Sequence, residues 1–290
     1  MKRTIRWCWL LGLVAMLGVT AMLGLPAALS AQDDAVREIT PIADGLYRFR
    51  NNFHYSMFLV TSEGIVATDP INADAARWLK AELDRRFGQP VRYLIYSHSH
   101  GDHISGGEVF ADTAIVVAHE NAKAEILANN VPTAPPDLVF SDRMTLTLGG
   151  KTVELSYLGK SHSDNLIVMR FVDSRVVFGV DFVSAKRMPY RDFPGGFLDD
   201  WPHALEALEA RDFDILATGH GPMGGPSDVR EARGYLEELR AAVAARIEQG
   251  MSDAQIVEAV TMDKYRNWGR YEDWRALNVQ GMTRHLRQSR

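Results

Sequence analysis

Ser97-His98-Ser99-His100-Gly101-Asp102-His103 is the stretch whose reading decides the fold. It follows residues 91–96, an apolar run set off by Gly88 and Pro90 that reads as a buried strand. Four side chains able to hold a metal ion, His98, His100, Asp102 and His103, fall within six residues directly after that strand. A spacing of two projects His98 and His100 to the same side while extended geometry persists. Gly101 then lets the chain turn, so that Asp102 and His103 face a second position nearby. A short loop built this way serves two adjacent metals.

Upstream, strand-like runs at 46–49, 56–61 and 65–68 are joined in part by the turn Ser62-Glu63-Gly64. Asn72 reads as the cap of a helix on which Leu79, Leu83 and Phe87 share one face. Downstream, a strand at 114–118 feeds a helix at 120–129. A proline-rich loop at 131–136 precedes strands near 144–148, 152–158, 165–171 and 176–179. Each further ligand candidate falls at a strand end. His162 lies between two strands, Asp181 ends the run Val177-Phe178-Gly179-Val180, and His220 follows the strand at 215–218. Strand ends are where a rigid scaffold positions functional loops.

Val229, Ala232, Leu236, Leu239, Val243 and Ile247 form an apolar stripe on one long helix near the end of the chain. Strands interleaved with helices, with no low-complexity linker, describe two sheets covered by helices in a single α/β domain over residues 31–290 with C-terminal helices. His119, His203 and His285 read as cap or surface residues. His54 and Tyr55 sit in an early loop, and neither is assigned to the site. The segment 188–201, with Tyr190, Phe193, Phe197 and Trp201 around Pro194-Gly195-Gly196, reads equally as a flap lining a pocket or as an ordinary surface loop.

The chain has 290 residues and a net charge of -5, which argues against a protein that grips phosphate backbones, and no nucleic-acid partner is expected. Residues 1–30 open with Lys2, Arg3 and Arg6, run apolar from Trp7 to Leu25, and end in Ala28-Leu29-Ser30. This is the pattern of a cleaved signal peptide, an uncleaved membrane anchor being the alternative. The expected location is therefore periplasmic or secreted, with no stable membrane insertion once the leader is removed. Cys8, the one cysteine of the chain, lies in that leader, so neither a thiolate zinc finger nor a disulfide framework is available.

In His98-x-His100-x-Asp102-His103, with later His162, Asp181 and His220, the chain resembles the metallo-β-lactamase superfamily from about residue 42 to residue 222. The resemblance implies a four-layer αββα sandwich. It also implies that His98, His100 and His162 hold one zinc, Asp102, His103 and His220 the other, and that Asp181 bridges them. Asp69, in Thr68-Asp69-Pro70, falls where the family often has a buried carboxylate behind the ligands. A turn aspartate is the equal alternative.

Residues 159–168 and Trp201-Pro202-His203-Ala204-Leu205 look like the dizinc β-lactamases. Those enzymes commonly carry a cysteine where this chain has Asp181, and a basic residue three positions later. Here that position is Ser184, with Lys186 two residues further on. Asp181 and His103 together are instead similar to glyoxalase II and lactonase-like hydrolases. The implied activity is hydrolysis of a small-molecule carbonyl substrate (a lactone, ester, thioester or β-lactam) by a hydroxide bridging two divalent ions, zinc first and iron or manganese compatible with the donor set. Asp102 would orient the nucleophile and pass a proton to the leaving group. A true β-lactamase and a non-catalytic periplasmic metal-binding accessory protein are the competing readings. Substrate-binding residues and oligomeric state are left open.

Overall fold

Alternation along the strands sorts the apolar side chains into three clusters, and these set the layering. The computed structural model describes residues 35–289; the leader read at 1–30 lies outside them. The first sheet runs in chain order: β1 (Arg37–Ala43), β2 (Leu46–Asn51), β3 (His54–Thr61), β4 (Gly64–Thr68), β5 (Val91–Ile95), β6 (Ile115–His119) and β7 (Leu138–Phe140). Its first four strands are antiparallel and β4 to β7 are parallel. Parallel neighbours need crossovers, and α1 (Ala73–Phe87), the one-turn α2 (Gly101–Ile104) and α3 (Glu120–Ala128) lie in them.

The second sheet has β8 (Arg143–Leu148), β9 (Lys151–Tyr157), β10 (Ile167–Phe171), β11 (Val176–Val180) and β12 (Ile215–Thr218), with order β12-β11-β10-β9-β8. The crossover between β11 and its parallel neighbour β12 carries α4 (Trp201–Glu209). After it come α5 (Pro226–Glu248), α6 (Asp253–Ala259) and α7 (Tyr271–Gln288).

Met57, Leu59, Val66 and Ile95 from the first sheet meet Leu155, Ile167, Met169 and Phe178 from the second in one buried cluster. The opposite faces of the same strands point outward. Phe58, Ala67 and Leu94 pack under Leu79, Leu83 and Ile126 of the first helix layer. Val168, Val177 and Leu216 pack under Leu205, Leu236, Val243 and Met282 of the second. Period-two strands with both faces apolar can be satisfied only by a layer on each side. The result is the αββα sandwich expected from the sequence.

Local signals explain most boundaries. Asn72 accepts hydrogen bonds from the backbone N–H groups of Asp74 and Ala75 and so caps α1, which Gly88 ends in the left-handed region at φ 59°. Strands β1 and β7 are additions to the sequence reading, and the strand expected at 165–171 starts at Ile167, leaving Asn165 free to act as a loop clamp. Among the described residues no helix is long and apolar enough to cross a membrane.

Candidate metal centre and the cleft above it

Parallel pairing of β4 with β5 puts Thr68 opposite Ile95, so the two strands deliver Asp69 and the loop at 96–100 side by side. Asp69 is fully buried, and its Oδ1 accepts a hydrogen bond from Ser97 N at 2.8 Å. On the far side of the loop Asn165 Oδ1 accepts from Ser99 N at 3.0 Å. The loop is thus clamped by both sheets. His100 then caps α2, whose first turn carries Asp102 and His103. What reads as a loop in the sequence is here one helical turn.

The other ligand candidates arrive from the second sheet. Val180 closes β11 at φ 48°, an outlier for a β-branched residue, and the next residue is Asp181. Gly219 N donates to Val180 O at 3.0 Å, and Tyr55 N donates to Gly219 O at 2.9 Å, holding the His220 loop against both sheets. His162 sits on the loop between β9 and β10.

All seven residues expected at the site converge. His98, His100, His162 and Asp181 form one group of donor atoms, and His103, Asp181 and His220 another, so Asp181 belongs to both. The third, Asp102 with His220, includes a residue absent from the sequence assignment, His54. Although read as part of a loop, His54 begins β3, and its Nε2 lies 3.2 Å from Asp102 Oδ2.

The donors fit a cation. His100 Nδ1 and His162 Nε2 face each other at 3.1 Å, as do the Nε2 atoms of His103 and His220. Asp181 reaches His103 at 3.3 Å, His220 at 3.4 Å and His162 at 3.6 Å. A tetrahedral shell of Zn–N bonds near 2.0–2.1 Å spaces its donors by about 3.3 Å. His98 Nε2 and Asp181 Oδ1 are buried without a hydrogen-bond partner among the described residues, a costly arrangement unless something binds there.

Two of the outward nitrogens are anchored, and a third faces a buried carboxylate. His98 Nδ1 lies 2.8 Å from Ser97 Oγ, His220 Nδ1 lies 3.0 Å from Phe53 O, and His103 Nδ1 faces Asp69 Oδ2 at 3.6 Å. Such contacts fix the ring orientation of metal-binding imidazoles. Asp69 therefore stands behind the ligands, the first of its two sequence readings.

Charge agrees with this geometry at His98, His162 and His220. Burial pushes the His98 imidazole well below the usual histidine range, His162 down to about 4, and His220 below its ordinary value. Neutral imidazoles have the lone pairs a metal needs. Burial opposes charge on His103 too, but Asp181 and Asp69 outweigh it and raise that group well above the ordinary value. Burial likewise opposes ionisation of Asp181, and the surrounding histidines outweigh it, holding the carboxylate well below its usual range. For Asp102, partial desolvation is overcome by the His54 hydrogen bond and the His103 charge, bringing it to about 2.

A family model described as the metallo-beta-lactamase superfamily matches residues 68–220. The chain belongs to that superfamily. With its full set of ligand-capable residues it is classed as a metal-dependent hydrolase. It is 25% identical over 216 residues to a metallo-beta-lactamase type 2 of Elizabethkingia meningoseptica, covering 70% of this chain and 86% of that one. It is also 27% identical over 185 residues to the 2,4-dinitroanisole O-demethylase subunit alpha of Nocardioides sp. (strain JS1661), covering 62% of this chain but only 54% of that longer protein. Among solved structures, a metallo-beta-lactamase from Pontibacter korlensis superposes with a TM-score of 0.64 at 22% identity, over 70% of this chain and 99% of that one. That likeness concerns the fold.

A cleft of about 660 Å³ opens on His100, Asp102, His162, Asp181 and His220. The segment 188–201 lines it through Met188, Pro189, Tyr190, Pro194 and Trp201, in keeping with the pocket-lining reading. The segment is pinned, however. Asn278 Nδ2 donates to the carbonyls of Pro189 (3.0 Å) and Arg191, Phe197 N donates to Ser161 O, and Trp201 Nε1 donates to Phe182 O.

Two further residues went unread in the sequence. Arg48 is buried on β2, and its Nη2 donates to the carbonyls of Thr218 and Gly221 at 2.8 Å each, bracing the His220 loop. Burial lowers its pKa to about 10. Arg187 lines the cleft, whereas Lys186 turns away to Glu231 and Asp228. An arginine inside an otherwise strand-like run gives no sign of its role.

Proposed function

We propose that this chain is an exported dinuclear-zinc hydrolase that opens a carbonyl substrate: a lactone, ester, thioester or β-lactam. The observation that carries the reading is the convergence of five imidazoles and two carboxylates from four strand ends onto buried, unpartnered donor atoms. Zinc held there would supply Lewis acidity. The remaining work belongs to the chain. His98, His100 and His162 would hold one ion, Asp102, His103 and His220 the other, with Asp181 between them. Asp102, exposed in the cleft and held by His54, would orient the attacking water and carry its proton to the leaving group. The aromatic and apolar walls keep bulk water from the rest of the substrate.

A true β-lactamase is a narrower version, favoured by the relatives named for that activity and weakened by Asp181 and Ser184 at the two positions noted above. The printed activities of the relatives divide between β-lactamase and O-demethylase, so they support no single substrate.

Elemental analysis of the purified protein, with a panel of lactones, esters, thioesters, penicillins and carbapenems, tests the reading. We expect about two zinc equivalents and turnover that chelation abolishes and Asp102→Ala lowers at least a hundredfold. Metal binding with no turnover anywhere on the panel would instead favour an accessory metal-binding protein. Export is tested by N-terminal sequencing of the periplasmic product, which should begin at Ala31.

A further inference from the structure

His54 stands outside the seven ligand candidates, yet its ring is seated among theirs. Across the β2–β3 hairpin Asn51 pairs with His54, and Asn52 makes the turn at φ 56°, a conformation asparagine tolerates. The residues on either side of His54 are both tied to the His220 loop. Phe53 O faces His220 Nδ1 at 3.0 Å, and Tyr55 N donates to Gly219 O at 2.9 Å. Arg48, on the other strand of the hairpin, adds its bonds to Thr218 O and Gly221 O, and its guanidinium lies 3.6 Å from the centre of the Tyr55 ring. His54 is thus delivered by a braced strand end, the kind of support a metal ligand needs. Its ring meets that of His220 edge-on, with centroids 4.6 Å apart, and that of His103 at 5.8 Å.

The oxygen that His54 approaches separates a ligand from a mere support. A group that only steadies a ligating carboxylate can use the oxygen turned away from the ion. His54 Nε2 instead lies 3.2 Å from Asp102 Oδ2, the oxygen that His103 Nε2 meets at 3.7 Å and His220 Nε2 at 3.9 Å. Three Nε2 atoms converge on one carboxylate oxygen, and that of His54 is the nearest. His54, Asp102 and His220 accordingly form a donor group of their own, with spacings close to the roughly 3.3 Å between donors around zinc. As an ion pair alone the contact would contribute little, since 28% of the His54 side chain and 53% of that of Asp102 are exposed.

We infer that His54 is a further ligand of the ion assigned to Asp102, His103 and His220, binding it through Nε2. This rests on the dinuclear reading above. With it each ion position draws on three imidazoles: His98, His100 and His162 at one, His54, His103 and His220 at the other. The two positions are then matched in nitrogen donors, and their zinc affinities draw together.

The test reads the nitrogen itself. In zinc-loaded protein carrying isotopically labelled histidine, a ligating Nε2 bears no proton, whereas a hydrogen-bond donor to Asp102 keeps one. Nitrogen–proton correlation spectra, with His54 assigned through its backbone, should show its ring proton on Nδ1 and an Nε2 resonance that shifts when zinc is added. In parallel, zinc affinities are measured by competition with a chelating dye. His54→Ala should weaken the weaker-bound zinc by roughly tenfold or more and leave the tighter one unchanged. His54→Gln, which keeps an N–H for Asp102, should do no better than alanine.

A proton on His54 Nε2 in the zinc-loaded protein overturns the inference. So does wild-type affinity in His54→Gln, which marks a support for Asp102, or in His54→Ala. Should either variant fail to fold, the spectrum of the unaltered chain decides by itself. A wild-type chain that takes up a single zinc, weakened by His54→Ala, sinks the dinuclear reading and leaves His54 a ligand. A wild-type chain that takes up none sinks both.

Discussion

A methyl group at position 219 would stand 3.0 Å from Asp181 Oδ1, His103 Cε1 and Val180 Cγ1 at once. None of these is the free end of a long flexible chain, so Gly219→Ala crowds the carboxylate shared by both donor groups together with His103 and Val180. The variant is expected to fold, since the rest of the core is untouched, but to retain at most one metal equivalent by mass spectrometry of the dialysed protein. Two equivalents in the folded variant would remove the structural role given to this glycine. The seven ligand candidates were legible in the sequence because each sits in a short polar turn immediately after an apolar run. His54 was not, because its partner Asp102 lies 48 positions away and its own surroundings, Phe53 and Tyr55, read only as an early loop. Asp69 was half legible. Its turn was evident from Pro70, but only the parallel register of β4 and β5 shows that its carboxylate faces inward.

At the scale of elements, the interior strands and α1 followed from periodicity and caps, whereas the sheet edges did not. Strand β1 has exposed and half-exposed residues throughout, with Pro41 beside a register shift, and β7 is three residues long with Leu138 and Val139 exposed. Edge strands bury too little to leave a pattern. Asn278 of α7 shows how a distant element shapes the cleft. It is fully buried, accepts a hydrogen bond from Tyr235 Oη at 2.6 Å, and holds the Pro189 and Arg191 carbonyls. Replacing it with alanine strands these groups, which should cost about 2–3 kcal/mol in urea unfolding. Limited proteolysis should then cut within 188–200 well before the wild-type chain is attacked. An unchanged cleavage pattern would show that Asn278 does not restrain the segment.

On the scale of the whole molecule, the ligand candidates close a seam. His98 to His103 come from the first sheet, and His162, Asp181 and His220 from the second. An ion bound only by the folded chain stabilises it by about 2.7 kcal/mol at a hundred times its Kd. For a chain of this size that corresponds to roughly 5–10 °C in Tm. Chelation should therefore lower Tm by about that much and zinc should restore it, as read by differential scanning calorimetry; equal Tm values with and without chelator would falsify a seam-closing ion. The layer architecture was readable because both faces of the strands are apolar. The cleft was not, because its upper wall is assembled from Ala232, Leu236, Trp268, Arg270 and Trp274, of which the sequence marks only Ala232 and Leu236, as part of a helical stripe that packs on something.

Those wall residues lie beyond position 220, where the superfamily match ends, and none of them is a metal-ligand candidate. Part of the cleft wall is thus written outside the stretch that carries the ligand candidates, and part inside it, in the segment 188–201. Drift in the last seventy residues can alter what is admitted while the ion-binding core stays intact. Two descendants of such a protein could keep every ligand and still feed on different molecules. Grafting a different tail onto the same core is the shortest route to a redesigned specificity.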